Sequence, residues 1–216
     1  MIASFQWLDR LAHDLRGPLT PLQTAAYLLR SGQVTPERQQ ELFALIERQT
    51  RQLGGMIDEL GDWTRVAQDR LLGSIEPCEP ALLLDYARAN SGSVGASAVL
   101  EQHAEGVLVD GDPVRLTQLL RTLLEYAGAT GEPPASIVMR AEDAQLCIDL
   151  HVGVGTADPE QVAQLFEQPE HDPYDHGLGL RLLIARAIAE AHHGSLTASI
   201  EDGRLVFHCR LPRHSA

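Results

Sequence analysis

His13-Asp14-Leu15-Arg16-Gly17-Pro18-Leu19-Thr20 sets an imidazole next to a carboxylate, about one helical turn ahead of a proline. The stretch lies in a segment where Leu8, Leu11, Leu15, Leu19, Leu22, Ala26 and Leu29 recur at helical spacing, so residues 1–31 read as one amphipathic helix. His13 falls off that apolar stripe and should face solvent. A neutral imidazole is a nucleophile, and Asp14 beside it can take the ring proton or hold the tautomer. Pro18 and Pro21 each remove a backbone N–H and crowd the preceding turn. They predict a kink in a helix whose apolar spacing continues without a phase break.

Outward from this helix, Ser31-Gly32-Gln33-Val34 breaks the pattern. Thr35 is a suitable N-cap, Pro36 suits the first helical position, and Glu37 suits the first turn. A second helix to about Ala67 carries Leu42, Leu45, Ile46, Leu53, Met56, Ile57, Leu60 and Trp63 as its stripe. Two long helices with a short connection make an antiparallel hairpin. One hairpin cannot cover both of its own stripes, and two hairpins paired as a four-helix bundle can, so packing predicts a homodimer.

From residue 71 the periodicity changes. Leu71–Ile75, Val99–His103 and Gly106–Val109 read as short strands, and Pro80–Ala89 and Asp112–Tyr126 as helices. Asn90–Ala96 is a Ser/Gly-rich loop without the Gly-Lys-Ser ending of a phosphate loop. Ser136–Arg140 and Leu146–Val152 alternate as paired strands around Glu142-Asp143. Asp158–Phe166 and Leu178–His192 read as helices, and Ser195–Ile200 with Arg204–Leu211 as a hairpin around Asp202-Gly203. The chain therefore divides into an all-α hairpin over residues 1–70 and an α+β sandwich over residues 71–216.

Composition narrows the function. The net charge of −13 disfavours nucleic acid and anionic membranes as partners. No apolar run reaches the ~18–20 residues of a membrane span and no signal pattern opens the chain, which predicts a cytoplasmic protein. Cys78, Cys147 and Cys209 are widely spaced and read as core thiols. His171 and His176 lack further ligand spacing, so no metal site is expected.

The His13–Leu19 run resembles the phosphoacceptor box of two-component histidine kinases, His-(Glu/Asp)-x-(Arg/Lys)-(Thr/Asn)-Pro-Leu. The resemblance implies that His13 accepts a phosphoryl group, with Asp14 as base or orienter and Arg16 offsetting charge on the incoming group. Gly17 stands where members that also dephosphorylate their partner carry Thr or Asn to orient water. Glycine has no side chain for that.

Most of residues 71–213 resembles the family's GHKL-type ATP-binding domain, with altered landmarks. Asp112–Leu120 is similar to the lead-in to its N box, Asn-Leu-Leu-x-Asn-Ala, which here reads Thr122-Leu123-Leu124-Glu125-Tyr126-Ala127. Tyr126 replaces the Asn that binds Mg²⁺ in the family, and a phenol is a poor hard-cation ligand. Glu125 points about 100° away around the helix. The adenine landmark Asp-x-Gly-x-Gly is His151-Val152-Gly153-Val154-Gly155, with an imidazole in place of the carboxylate. Leu165-Phe166-Glu167 matches the F box. Gly177-Leu178-Gly179-Leu180 resembles the second glycine box, whose N–H groups attract phosphate, with Arg181 just after it.

A strong phosphoacceptor box beside an altered nucleotide site points first to a histidine phosphotransferase. Such a carrier would pass phosphoryl groups between the receiver-domain aspartates of response regulators and need no cofactor. The alternatives are an active histidine kinase that uses ATP and Mg²⁺, and a non-catalytic pseudokinase that acts by dimerising with, or sequestering, a partner.

Overall fold

The computed structural model describes residues 2–90, 97–100, 104, 106–130, 135–152 and 158–214, with side chains at residues 10–89, 104, 106–130, 135–152 and 158–214. The chain falls into two compact units. One is Met1–Asp62 with His171–Leu180, and the other is Trp63–Glu170 with Arg181–Ala216.

The first unit is built on helices α1 (Ile2–Ser31) and α2 (Pro36–Ala67). α1 runs unbroken through Pro18 and Pro21. Gly32 ends it at φ +67°, a conformation that costs glycine little. Thr35 caps α2 as the sequence predicts, its Oγ1 accepting the Arg38 N–H at 3.3 Å. The same hydroxyl and backbone donors hold the Glu37 carboxyl below its usual range, the backbone contribution being the larger. Along the hairpin Ala25, Leu42 and Met56 are buried, whereas Leu19, Tyr27, Phe43 and Ile57 stay exposed. The stripe of α1 thus centres on Ala25 instead of Ala26, which is exposed.

The second unit is the α+β sandwich. β1 (Glu76–Cys78) and β3 (Val109–Gly111) pair antiparallel as a small sheet. β2 (Ser97–Leu100), β4 (Ser136–Glu142), β5 (Gln145–His151), β7 (Arg204–Pro212) and β6 (Ser195–Glu201) form a five-stranded sheet in the order β2-β4-β5-β7-β6. β2 is parallel to β4 and the other pairs are antiparallel. The helices are α3 (Pro80–Asn90), α4 (Pro113–Thr130), α5 (Pro159–Gln164) and α6 (Arg181–Ala191). Ile137, Met139, Ile148, Leu150 and Phe207 from the sheet and Leu119, Leu124, Leu182 and Ile188 from the helices make the core. Full burial of each large apolar side chain is worth about 1.5–3 kcal/mol.

Several elements lie elsewhere than the sequence predicts. Leu71–Ile75 is not a strand: the Gly73 N–H donates to Asp112 Oδ2 at 2.7 Å and the Leu71 carbonyl accepts from Arg115 Nε at 3.0 Å. Side chains satisfy that backbone, so the strand forms one step later as β1. The predicted Gly106–Val109 strand forms as β3, and the helix expected from Leu178 starts at Arg181. The β4–β5 turn is Asp143-Ala144, one residue later than the predicted Glu142-Asp143, with Asp143 at φ +43°. The β6–β7 hairpin forms as predicted, with Asp202 and Gly203 both at positive φ. Residues 91–96 of the predicted loop and 101–103 of the predicted strand lie outside the described residues. Cys78, Cys147 and Cys209 are buried free thiols, and burial pushes Cys209 up to about 12.

Candidate functional site

His13 is exposed on α1 and lines a pocket of about 270 Å³ within the first unit. α1 contributes Arg10, His13, Asp14, Gly17 and Pro18. These positions differ by three, four, seven and eight residues from Arg10, which puts them on one helical face. α2 contributes Gln49, Gln52 and Met56 at equivalent spacing, and the segment His171–Leu180 supplies the remaining wall with His171, Asp172, Pro173, His176 and Gly177.

Three sets of hydrogen bonds hold that wall to the helices. Arg10 Nη2 donates to the His171 carbonyl at 3.2 Å, and Gln52 Nε2 donates to the His176 carbonyl at 2.9 Å. The buried Glu59 carboxylate accepts the N–H groups of Leu178 at 3.1 Å and Leu180 at 3.2 Å. Gly177 packs so close to Glu59 that a Cβ would run into its carboxylate, while Gly179 adopts φ +73°. A side chain at Gly177 would thus displace the Glu59 carboxylate, and Gly179 supplies a left-handed turn.

Asp14, assigned as base or orienter, pairs with Arg10 Nε at 3.6 Å. Arg16 is exposed and does not line the pocket. A Cβ on Gly17 would have nothing within 4 Å, so space exists for a larger residue there. Arg10, Gln52 and Glu59 were not singled out from the sequence. Arg10 had a legible signal, since it lies three residues before His13. Glu59 had a weaker one, a carboxylate three residues after Met56 on a helix whose apolar side is being buried.

The nucleotide landmarks are distributed differently. Tyr126 is buried, its ring edge-on to Phe207 at a centroid distance of 5.4 Å. Burial, reinforced by the Glu170 charge, pushes its phenol up to about 12. A neutral phenol packed into the core does not fit a Mg²⁺ ligand. Thr122 is buried too. Glu125 receives Arg181 Nη1 at 2.7 Å and faces Arg121 at 3.7 Å, so Arg181 is engaged with a carboxylate. His151 is half-buried at the end of β5, between Ser136 and Val206. Gly153 and Gly155 lie outside the described residues. Phe166 of the F box stacks edge-on to Phe207 at 6.1 Å. Among the described residues no three acidic, His or Cys side chains converge as a metal site, and no helix is long and apolar enough to cross a membrane.

Comparison with known proteins supplies the context. Residues 4–68 match the His Kinase A (phospho-acceptor) domain. The chain is 30% identical to the sensor histidine kinase TrcS of Mycobacterium tuberculosis, over 96% of this chain and 43% of that protein. It is 26% identical to the adaptive-response sensory kinase SasA of a Synechococcus strain, over 95% of this chain and 58% of that protein. It thus spans about half the length of these relatives. In fold it resembles the histidine kinase AdeS of Acinetobacter baumannii, with TM-score 0.72 at 19% identity, covering 94% of this chain and 98% of that one. It also resembles the histidine kinase ThkA, solved with the response regulator TrrA, with TM-score 0.73 at 18% identity, covering 97% of this chain and 61% of that one. These relatives match a kinase better than the carrier that the sequence put first.

Proposed function

From a chain that belongs to the two-component histidine kinase family, we propose that His13 accepts the γ-phosphoryl group of ATP and passes it to a receiver-domain aspartate. The observation that carries this reading is an exposed His13 in its own pocket, inside a region matched as a phospho-acceptor domain. A ring nitrogen of His13 attacks phosphorus and an N–P bond forms. The P–O bond to ADP breaks with its electron pair on oxygen, and the remaining ring proton passes to Asp14 or solvent. Residues 1–70 serve as dimerisation and acceptor domain and residues 71–216 as nucleotide domain, in a cytoplasmic homodimer. The exposed Tyr27, Phe43 and Ile57 on the hairpin support a second copy as their cover.

A second reading, the carrier fed by a phosphorylated receiver, is favoured by the nucleotide landmarks. Tyr126 is a core residue, and Glu59 already takes N–H groups of the second glycine box, the groups the resemblance assigns to phosphate.

Incubation with γ-labelled ATP and Mg²⁺ separates the two, with His13→Ala as control. Acid-labile label on wild type alone is the expected result. No label from ATP, but label from a phosphorylated receiver domain, makes the protein a carrier. No label from either donor sinks both and leaves the pseudokinase.

A further inference from the structure

We propose that Arg10, a residue outside the phosphoacceptor motif, binds the phosphoryl group on His13 and hands Asp14 its role as proton acceptor. The inference rests on His13 being the acceptor. Arg10 lines the His13 pocket, whereas Arg16 does not. Residues three apart on a helix have Cβ atoms about 5–6 Å apart, within reach of a group carried on the imidazole. The Arg10 fork is oriented in advance, by the His171 carbonyl at 3.2 Å and the Asp14 carboxylate at 3.6 Å.

The two contacts differ in strength. At 3.6 Å the Asp14 pair is longer than a good N–H···O hydrogen bond, and both side chains are partly exposed. A phosphoryl group carries more charge and three acceptor oxygens, and a guanidinium fork matches it in bidentate geometry. An incoming phosphoryl group therefore outcompetes Asp14 for Arg10. Asp14 then loses its cation and becomes the better acceptor for the ring proton that His13 must shed. The carbonyl of His171 keeps the guanidinium in place through the exchange, and Gln52 keeps that wall on the helices.

The test uses phosphoramidate, a small donor that needs neither a nucleotide site nor a partner protein. The ring nitrogen attacks phosphorus, and the P–N bond of the donor breaks with its electron pair leaving on ammonia. Total phosphohistidine formation is followed by intact mass, and its site by peptide mapping, in wild type, Arg10→Gln, Arg10→Lys and His13→Ala. Arg10→Gln should slow labelling at His13 roughly tenfold, the size expected of one charged hydrogen bond. Arg10→Lys should fall between, since it keeps the charge and loses the fork. The wild-type rate should fall with added salt and the Arg10→Gln rate should not. Circular dichroism checks folding, and Arg10→Lys with the wild-type salt dependence carries the test if Arg10→Gln does not fold. Equal rates and equal salt dependence in wild type and Arg10→Gln, with His13→Ala unlabelled, overturn the role of Arg10 and leave the acceptor intact. Wild-type labelling kinetics in His13→Ala overturn the acceptor itself.

Discussion

The helix that carries His13 and the five-stranded sheet place their polar groups by opposite means. On α1 the groups around His13 come from one exposed helical face, and the pocket walls form around them. On the sheet, Asp149 of β5 is buried from solvent and held by Arg140 of β4 at 2.7 Å and by Arg210 at 2.7 Å and His208 at 2.9 Å, both of β7. His208 in turn meets Ser199 at 2.8 Å. The first arrangement leaves an imidazole open to a reactant. The second draws its buried carboxylate into a network of ion pairs and hydrogen bonds. Exposure of the imidazole, and not the presence of His and Asp as such, separates the two arrangements.

This contrast can be broken most severely at Asp149. Burial alone would raise its pKa, but hydrogen bonds from Arg210 and His208 and the charges of Arg210 and Arg140 hold it below the usual carboxylate value. Asp149→Ala leaves two guanidinium groups without their shared acceptor. It should cost about 3–5 kcal/mol in urea unfolding followed by hydrogen exchange in β4, β5 and β7. A loss below about 1 kcal/mol would make the network ornamental, no stronger than surface ion pairs.

His192 gives the next effect and a pH signature. Its Nδ1 donates to the Ile188 carbonyl at 2.7 Å and its Nε2 accepts the Asp112 N–H at 2.9 Å, which requires the neutral ring. Burial is the main cause of its lowered pKa, partly opposed by the Ile188 bond and the Asp112 charge. The folded state therefore binds the proton less readily than the unfolded one. Its stabilisation is complete above the ordinary value of 6.5 and is lost as pH falls from there toward the lower folded value. His192→Leu should cost about 1–3 kcal/mol at pH 7.5, by leaving the Asp112 N–H unpaired. It should also flatten the acid limb of the stability profile, and an unchanged limb would assign that limb to other groups.

Two smaller changes sharpen the helical side. Thr35→Ala removes the N-cap of α2 and should cost about 1 kcal/mol, read as faster exchange in its first turn. Gly17→Ala meets open space and should stabilise α1 by about 0.5–1 kcal/mol. Both effects should be confined to protection of α1 and α2. Loss of protection in the sheet from either one would tie the two units into one cooperative structure.

Much of the fold was legible because its signals are local. Thr35-Pro36-Glu37 marks a helix start, Asp202-Gly203 marks a hairpin, and alternating apolar residues mark β4 and β5. Two of the failures share one cause. Leu71–Ile75 lost its strand to Asp112 and Arg115, and Leu178–Leu180 lost its helical turn while Glu59 takes two of its N–H groups. In each case a distant side chain satisfied backbone groups that local reasoning assigned to secondary structure.

The sequence by itself marked the His13-Asp14 pair on an amphipathic helix and set a helical region ahead of an α+β region. A reactive exposed residue and a periodic helix are both written at short range along the chain. Only the tertiary structure decided that Arg10 and not Arg16 shares the pocket with His13, and that Tyr126 is a core ring. Which side chains meet across a gap, and which are withdrawn from water, depends on segments far apart in the chain, and no local spacing encodes that.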